Sequence, residues 1–371
     1  MTVDSSNQRI ARLTPLGSVL ALIESRIKPV LPKTIRVVTA RRLALAEDVA
    51  ASQQPAQAIA LRDGFAVDAG AIADAGPYTP VPLTLTARRI DAGDPMPDGT
   101  DAVLQLDAVV LRGKSAQATT TVVPGEGVLL AGGDAVPQMP LRRAGQRLRA
   151  VDIAAIPAAN VQAAAVREPS IGVALGGVGG AAVINAALSM LVHLIFEAGG
   201  NVPSNPVALA AALADEKTDA IMAVGGTGSG RRDSAVQELA RVGQVEAHGI
   251  AICPGETAAF GFVGRRPVLL LPGRIDAALA VWLLLGRHIV AKLAGGKVED
   301  MPVTLPLRRK VTSSIGMTEL IPVRCENGMA EPVGSGYLSL TALSGSDGWI
   351  VIPPDSEGFA AGSQVAVNPW P

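Results

Sequence analysis

The spacing of apolar and polar positions changes along this chain, and the changes divide it. Residues 16–27 carry apolar positions at helical spacing and predict an amphipathic helix, followed by a mixed stretch over 43–51. From about residue 58 to 136 the pattern shortens to alternating segments such as Val81-Pro-Leu-Thr-Leu-Thr-Ala and Ala118-Thr-Thr-Thr-Val-Val. Asp-Pro, Pro-Asp-Gly and Gly-Glu-Gly turns punctuate them, which predicts small β structure. From about 170 to 296 apolar strands alternate with helical patterns, so a parallel sheet covered on both faces is expected. Its first unit is a strand over 171–175, a glycine loop and a buried helix over 182–197 that Gly199-Gly200 ends. After residue 300 helical periodicity stops, and 303–371 reads as a compact, turn-rich β module.

Length and composition narrow the class. A chain of 371 residues exceeds one ordinary domain and predicts roughly two to four. Aromatic residues are only 3% against 49% hydrophobic, so the cores must be packed with Ala, Val, Leu and Gly. A formal net charge of -1 argues against non-specific grip on nucleic acid, which needs phosphate-neutralising cations. Residues 171–196 lack Asp, Glu, Lys and Arg, but five glycines interrupt the start of that run, so it predicts no membrane span. The apolar run at Trp282-Leu-Leu-Leu285 is likewise cut by Arg287, His288 and Lys292. Two cysteines and no basic-then-apolar leader fit a reducing cytoplasm.

Two glycine loops compete for the chemistry. The stronger is Asp219-Ala-Ile-Met-Ala-Val-Gly-Gly-Thr-Gly-Ser-Gly-Arg-Arg-Asp233: an apolar strand, a loop carrying Thr227 and Ser229, and a helix opened by Asp233. Gly225, Gly226, Gly228 and Gly230 let the backbone turn tightly and bring N–H groups to an oxyanion, at the positive end of the following helix. The same residues also serve a plain strand-to-helix turn, with Asp233 as a helix cap. A third strand–turn–helix unit runs through Leu271-Pro-Gly-Arg-Ile275, so three turns should align at one edge of the sheet, where ligands of open α/β sheets bind. The weaker loop has Gly177-x-Gly179-x-x-Ala182 with Glu197 about twenty residues on, a spacing that also fits a dinucleotide-binding oxidoreductase.

The ordered motifs resemble the molybdopterin molybdotransferase family, the MoeA and gephyrin E-domain type, over nearly the whole length. Leu61-Arg-Asp-Gly-Phe-Ala-Val67 is similar to its Met-Asp-Gly-Tyr-Ala-Val signature. Gly93-Asp-Pro-Met-Pro-Asp-Gly-Thr-Asp-Ala-Val103 is similar to its Gly-Ala-Pro-Val-Pro-x-Gly-x-Asp-Ala-Val stretch, and Gly132-Gly-Asp134 stands where the family has Gly-Glu-Asp. The Gly-Gly-Thr-Gly run, Cys253-Pro-Gly255 and Leu271-Pro-Gly273 follow in family order.

The resemblance implies an α/β, MogA-like parallel-sheet domain over 170–300, with β-rich accessory domains and a C-terminal β-barrel-like module over 301–371. It also implies an inserted β domain over 58–136, and a discontinuous N-terminal linker and dimerisation domain from 1–57 and 137–169. Such proteins are homodimers with a cleft shared between subunits. They insert molybdate into adenylylated molybdopterin with Mg²⁺, release AMP, and hand the product to a molybdoenzyme or another cofactor-biosynthesis partner. On matching positions, Asp63, Asp134 and Asp233 supply acids, with Asp134 and Asp233 for Mg²⁺. Gly225, Gly226, Thr227, Gly228, Ser229, Arg232, Pro254, Gly255, Pro272, Gly273 and Arg274 would face the pterin and its terminal phosphate.

Several departures bear on activity. Gly176-Gly-Val-Gly179 replaces Thr-Gly-Asp-Glu, removing two carboxylates. Cys253-Pro-Gly-Glu-Thr257 replaces Lys-Pro-Gly-Lys-Pro, turning one lysine into a thiol and the other into a carboxylate. Leu129-Leu-Ala131 stands in place of a basic run, and a strand with an acidic turn is skipped before Asn205-Pro-Val. Arg231, Arg232 and Arg274 are the compensating cations. A molybdopterin binder that stores, delivers or senses the cofactor without turnover is therefore the alternative.

Overall fold

The computed structural model describes residues 8–85, 87–113, 115–177 and 182–371. Its centre is a six-stranded sheet in the spatial order Val207–Ala208, Ile171–Leu175, Ala220–Val224, Arg266–Leu271, Ala259–Val263, Gln244–His248. The first four strands run parallel. Ala259–Val263 runs antiparallel to Arg266–Leu271, and Gln244–His248 runs antiparallel to it in turn, so the expected parallel sheet is mixed. The reason is length: only Gly264-Arg265 separates Ala259–Val263 from Arg266–Leu271, and a parallel crossover needs about a dozen residues.

Alternation along the strands sorts their side chains onto two cores. Ile171, Val173, Met222, Val224, Leu269 and Leu271 meet one face, under Leu188, Leu191 and Ile195 of the helix Ala182–Glu197. Ala174, Ile221, Ala223, Val268 and Leu270 meet the other, under Leu209, Leu213, Val236 and Leu239. The strand Ala220–Val224 is buried throughout, as a central strand covered on both faces must be. The helix Leu16–Arg26 packs Val19 and Ile23 into the first of these cores, and Arg26 lies over the Phe262 ring.

Segments on either side of the β-rich stretch pair with each other: Lys33–Arg36 and Ala44–Leu45 flank Ala163–Arg167 in one small sheet. Between them, Gly64–Val67 pairs with Arg88–Ile90 and Ala102–Leu104. A second small ladder joins Val81–Pro82, Ser115–Ala118 and Val109–Arg112. The strand expected from Ala118 onward instead ends there, because Thr119 donates both its N–H and its hydroxyl to the Ala108 carbonyl and turns the chain. The C-terminal sheet runs Ile252–Cys253, Thr318–Glu326, Gly348–Ile352, Gln364–Pro369, Val303–Pro306. Its first strand is lent by the α/β unit, and among the described residues its strand pairing does not close into a ring. No helix among the described residues is long and apolar enough to cross a membrane.

Candidate functional site

Three of the parallel strands deliver their turns to one place. Gly225 donates its N–H to the Leu271 carbonyl at 2.8 Å, and Gly176 donates to the Val224 carbonyl at 2.9 Å. A Cβ on Gly226 would stand 1.5 Å from the Gly176 carbonyl oxygen, and one on Gly273 would stand 3.5 Å from the Gly225 Cα. Only glycine permits the approach at Gly226, and Gly225 and Gly226 also hold φ at +92° and +72°, whereas the contact at Gly273 is an ordinary one.

Residues 225–233 then fold on themselves. The Asp233 Oδ2 accepts the Gly230 N–H at 2.8 Å, while the Asp233 N–H donates to the Gly230 carbonyl at 3.0 Å. The helix begins later than expected, at Ala235 with Ser234 before it, so Asp233 shapes the loop and does not cap the helix. Thr227 is buried; its hydroxyl meets that of Thr257 at 3.0 Å, and its carbonyl meets His248 Nε2 at 3.0 Å. Thr257 thereby brings the Pro254-Gly255 turn, itself buried, against the loop. Ser229, Arg231 and Arg232 are exposed. Among the described residues, nothing accepts from the N–H groups of Gly226, Thr227, Gly228 or Ser229. A row of free donors on a glycine-shaped loop fits a phosphate or another oxyanion.

Two further expected site residues belong to the β-rich stretch. Asp63 is exposed and accepts the Ala92 N–H at 2.8 Å. Asp134 is exposed, with its own N–H on the Gln54 carbonyl. No hydrogen bond or ion pair among the described residues joins either to the loop. Nor is there, among those residues, any group of three or more His, Cys, Asp or Glu arranged to hold a metal ion.

Pro272 is buried, and Arg274 beside it is engaged. It forms a two-pronged ion pair with Asp276, including Nε to Oδ1 at 3.0 Å, and its guanidinium lies 4.9 Å over the Tyr337 ring. Burial works to raise the Asp276 carboxyl, but the bond from Arg274 and the N–H groups of Leu338 and Ala277 hold it below its ordinary range. Cys253 has the opposite setting: burial, then Glu319 and Glu256, push its thiol up to about 11. It is a thiol at neutral pH, not a nucleophile.

The dinucleotide arrangement is not met. Glu197 ends its helix, roughly 24 Å from the loop for 16 residues at 1.5 Å each, and Arg42 binds it with two contacts of 2.7 Å. Gly179 of that fingerprint lies outside the described residues. A cavity of ≈ 400 Å³, walled by Trp282, Leu283, Arg147, Lys297 and Trp370 among others, shares no residue with the glycine loop.

One contact was invisible in the sequence. Gln8, buried at 7% exposure, donates Nε2 to the carbonyls of Gly226 at 2.6 Å and Gly228 at 2.8 Å. No motif marks it, because only the folded chain brings a residue more than two hundred positions away against the loop.

Comparison with known proteins gives three consecutive matches. Residues 14–159 match the MoeA N-terminal region (domain I and II), 180–292 a probable molybdopterin binding domain, and 304–370 the MoeA C-terminal region (domain IV). A protein of Methanocaldococcus jannaschii, provisionally named for molybdopterin biosynthesis, is 26% identical over 96% of this chain and 98% of its own length. The molybdopterin molybdenumtransferase of Haemophilus influenzae is 28% identical over 46% of this chain and 45% of its own. Among solved structures, the molybdopterin biosynthesis MoeA protein of Pyrococcus horikoshii has a TM-score of 0.74 at 23% identity, covering 97% of this chain and 100% of that one. The molybdenum cofactor biosynthesis protein of Pyrococcus furiosus has a TM-score of 0.61 at 20% identity over the same shares. These two likenesses carry the fold.

Proposed function

We propose, for a chain that belongs to the MoeA type of molybdopterin biosynthesis protein, that residues 225–233 bind the terminal phosphate of molybdopterin and that the bound form is its adenylylated state. The reaction is molybdate insertion into that pterin with release of AMP, carried out by a homodimer whose cleft takes residues from both subunits. The observation that carries this reading is the row of N–H groups from Gly226 to Ser229 that donate to nothing among the described residues. They are fixed in place before any ligand arrives, so little reorganisation is spent on binding. Arg231 and Arg232 are exposed beside them and make no ion pair among the described residues, which leaves both charges for molybdate or for the phosphates. Asp63 and Asp134 reach this cleft from the partner subunit, and no step is routed through Mg²⁺ bound by one chain.

A second reading is favoured by a specific observation. Arg274 is neutralised by Asp276, and positions 253 and 256 present a thiol and a carboxylate where the family pattern has cations. A loop that grips phosphate but lacks cations for molybdate would bind the pterin without converting it.

AMP release from adenylylated molybdopterin, with molybdate present or absent, separates the readings. Molybdate-dependent release is expected. Asp233→Asn retains an acceptor for the Gly230 N–H, so the loop should stay folded while turnover falls about a hundredfold. Unchanged turnover in that variant removes Asp233 from the site. Stoichiometric binding without release would establish the binder, and no binding at all would overturn both readings.

A further inference from the structure

Gln8 sits against the glycine loop with half of its amide satisfied. The carbonyls of Gly226 and Gly228 can only accept, so the nitrogen must face them and the oxygen must face away. That oxygen, Oε1, is buried and has no donor among the described residues. A buried acceptor without a donor is rare in folded proteins and asks for one.

The placement of Gln8 is built into the fold. Thr14 donates its N–H to the Gly249 carbonyl at 2.8 Å and receives the Ala251 N–H at 2.8 Å, which straps the segment alongside residues 249–251. Ile10 packs over Gly249, where a Cβ would come within 2.3 Å of Ile10 Cγ2. The strap therefore delivers Gln8 to the same loop that His248 touches through the Thr227 carbonyl.

We infer that Gln8 Oε1 accepts a hydrogen bond from an N–H or amino group of the pterin ring, making Gln8 a specificity-determining residue of this site. The inference rests on the proposed binding of molybdopterin. Two chemistries meet at one loop: free N–H donors for an anion, and one buried acceptor that repels an anion and takes a donor. A phosphate alone satisfies only the first. A nitrogen heterocycle carrying a phosphate satisfies both, and the acceptor orients its ring towards residues 8–14.

The test compares three probes on the full chain: molybdopterin, AMP and inorganic phosphate, each titrated against wild type and Gln8→Ala. Loss of a buried hydrogen bond predicts a roughly tenfold weaker molybdopterin affinity, with phosphate affinity within about twofold of wild type. Equal weakening of both would mean that Gln8 only props the loop, and would overturn the inference. No change in either would overturn it as well. A tenfold loss confined to AMP would assign the acceptor to adenine and overturn the pterin assignment. Phosphate binding by wild type with no molybdopterin binding would instead remove the proposed function, and the inference with it. Should Gln8→Ala fail to fold, Gln8→Met retains the volume, lacks both polar atoms and carries the same comparison.

Discussion

Gly226 shows how much of this site is backbone geometry. Its φ of +72° costs a side-chain-bearing residue about 1–2 kcal/mol, and its neighbour across the turn is a carbonyl oxygen that cannot move without unzipping Gly176 from Val224. Gly226→Ala should therefore lose about 3 kcal/mol in urea denaturation, the backbone term plus overpacking, and should lose ligand binding as well. Gly264→Ala is the control. That glycine has φ +60° with nothing within 4 Å, so only the backbone term of about 1 kcal/mol applies. Equal losses in the two variants would show that the contact between the turns is not what holds the loop. Cys253 is the complementary case, a side chain set by its surroundings: burial, then the carboxylates of Glu319 and Glu256, push its thiol up to about 11.

Elements with a strong period were legible. The helix Ala182–Glu197 and the strand Ile171–Leu175 have the limits their apolar patterns predict, because both bury long apolar runs and glycines end the helix. The glycine loop was legible for the same reason, since only a forced backbone explains so many glycines between a strand and a helix. What escaped was partly long-range and partly local. The strap that carries Gln8 is a contact between residues more than two hundred positions apart, without local signature. The antiparallel edge turns on the two residues Gly264-Arg265, and Arg274 is occupied by Asp276 only two positions on, neither of which the strand and helix periods reveal. Another local feature is the turn Trp282–Gly286, which widens to i→i+5 hydrogen bonding inside a continuous helical run. The helix Arg287–Leu293 that follows holds His288 where burial first, and Arg287 second, lower its pKa from 6.5 to about 4, with Asp300 opposing. The imidazole stays neutral in the fold while the unfolded chain protonates it below about pH 6.5. Stability is then unaffected above that pH and is lost as pH falls from 6.5 towards 4, by at most about 3 kcal/mol. Urea midpoints at pH 7.5, 5.5 and 4.5 should fall for wild type and fall less for His288→Gln. Parallel pH profiles would sink the assignment.

At the scale of the molecule, the α/β unit and the C-terminal sheet are fastened together near the site. Ile252–Cys253 pairs with the strand Thr318–Glu326, and the buried Asp276 accepts the Leu338 N–H at 3.1 Å while holding Arg274. The acids of the β-rich stretch are different, since nothing among the described residues joins Asp63 or Asp134 to the glycine loop of the same chain. Those acids serve the glycine loop of their own chain through a bound ligand, serve no common site, or serve the loop of a second chain, and a mixing experiment tests the last of these without a structure of the dimer. A chain carrying Asp63→Asn keeps its own Asp233; a chain carrying Asp233→Asn keeps its own Asp63. In a mixed dimer of the two, one cleft has both wild-type acids and the other has neither. Random re-association makes half of the dimers mixed, so about one quarter of wild-type AMP release should return on mixing two variants that are each inactive alone. If the two acids worked within one chain, every cleft in the mixture would carry one defect and activity would stay at the level of the separate variants. Capture through a tag carried by only one of the two variants checks that mixed dimers have formed, so that a failure to recover activity counts against the shared cleft and not against assembly.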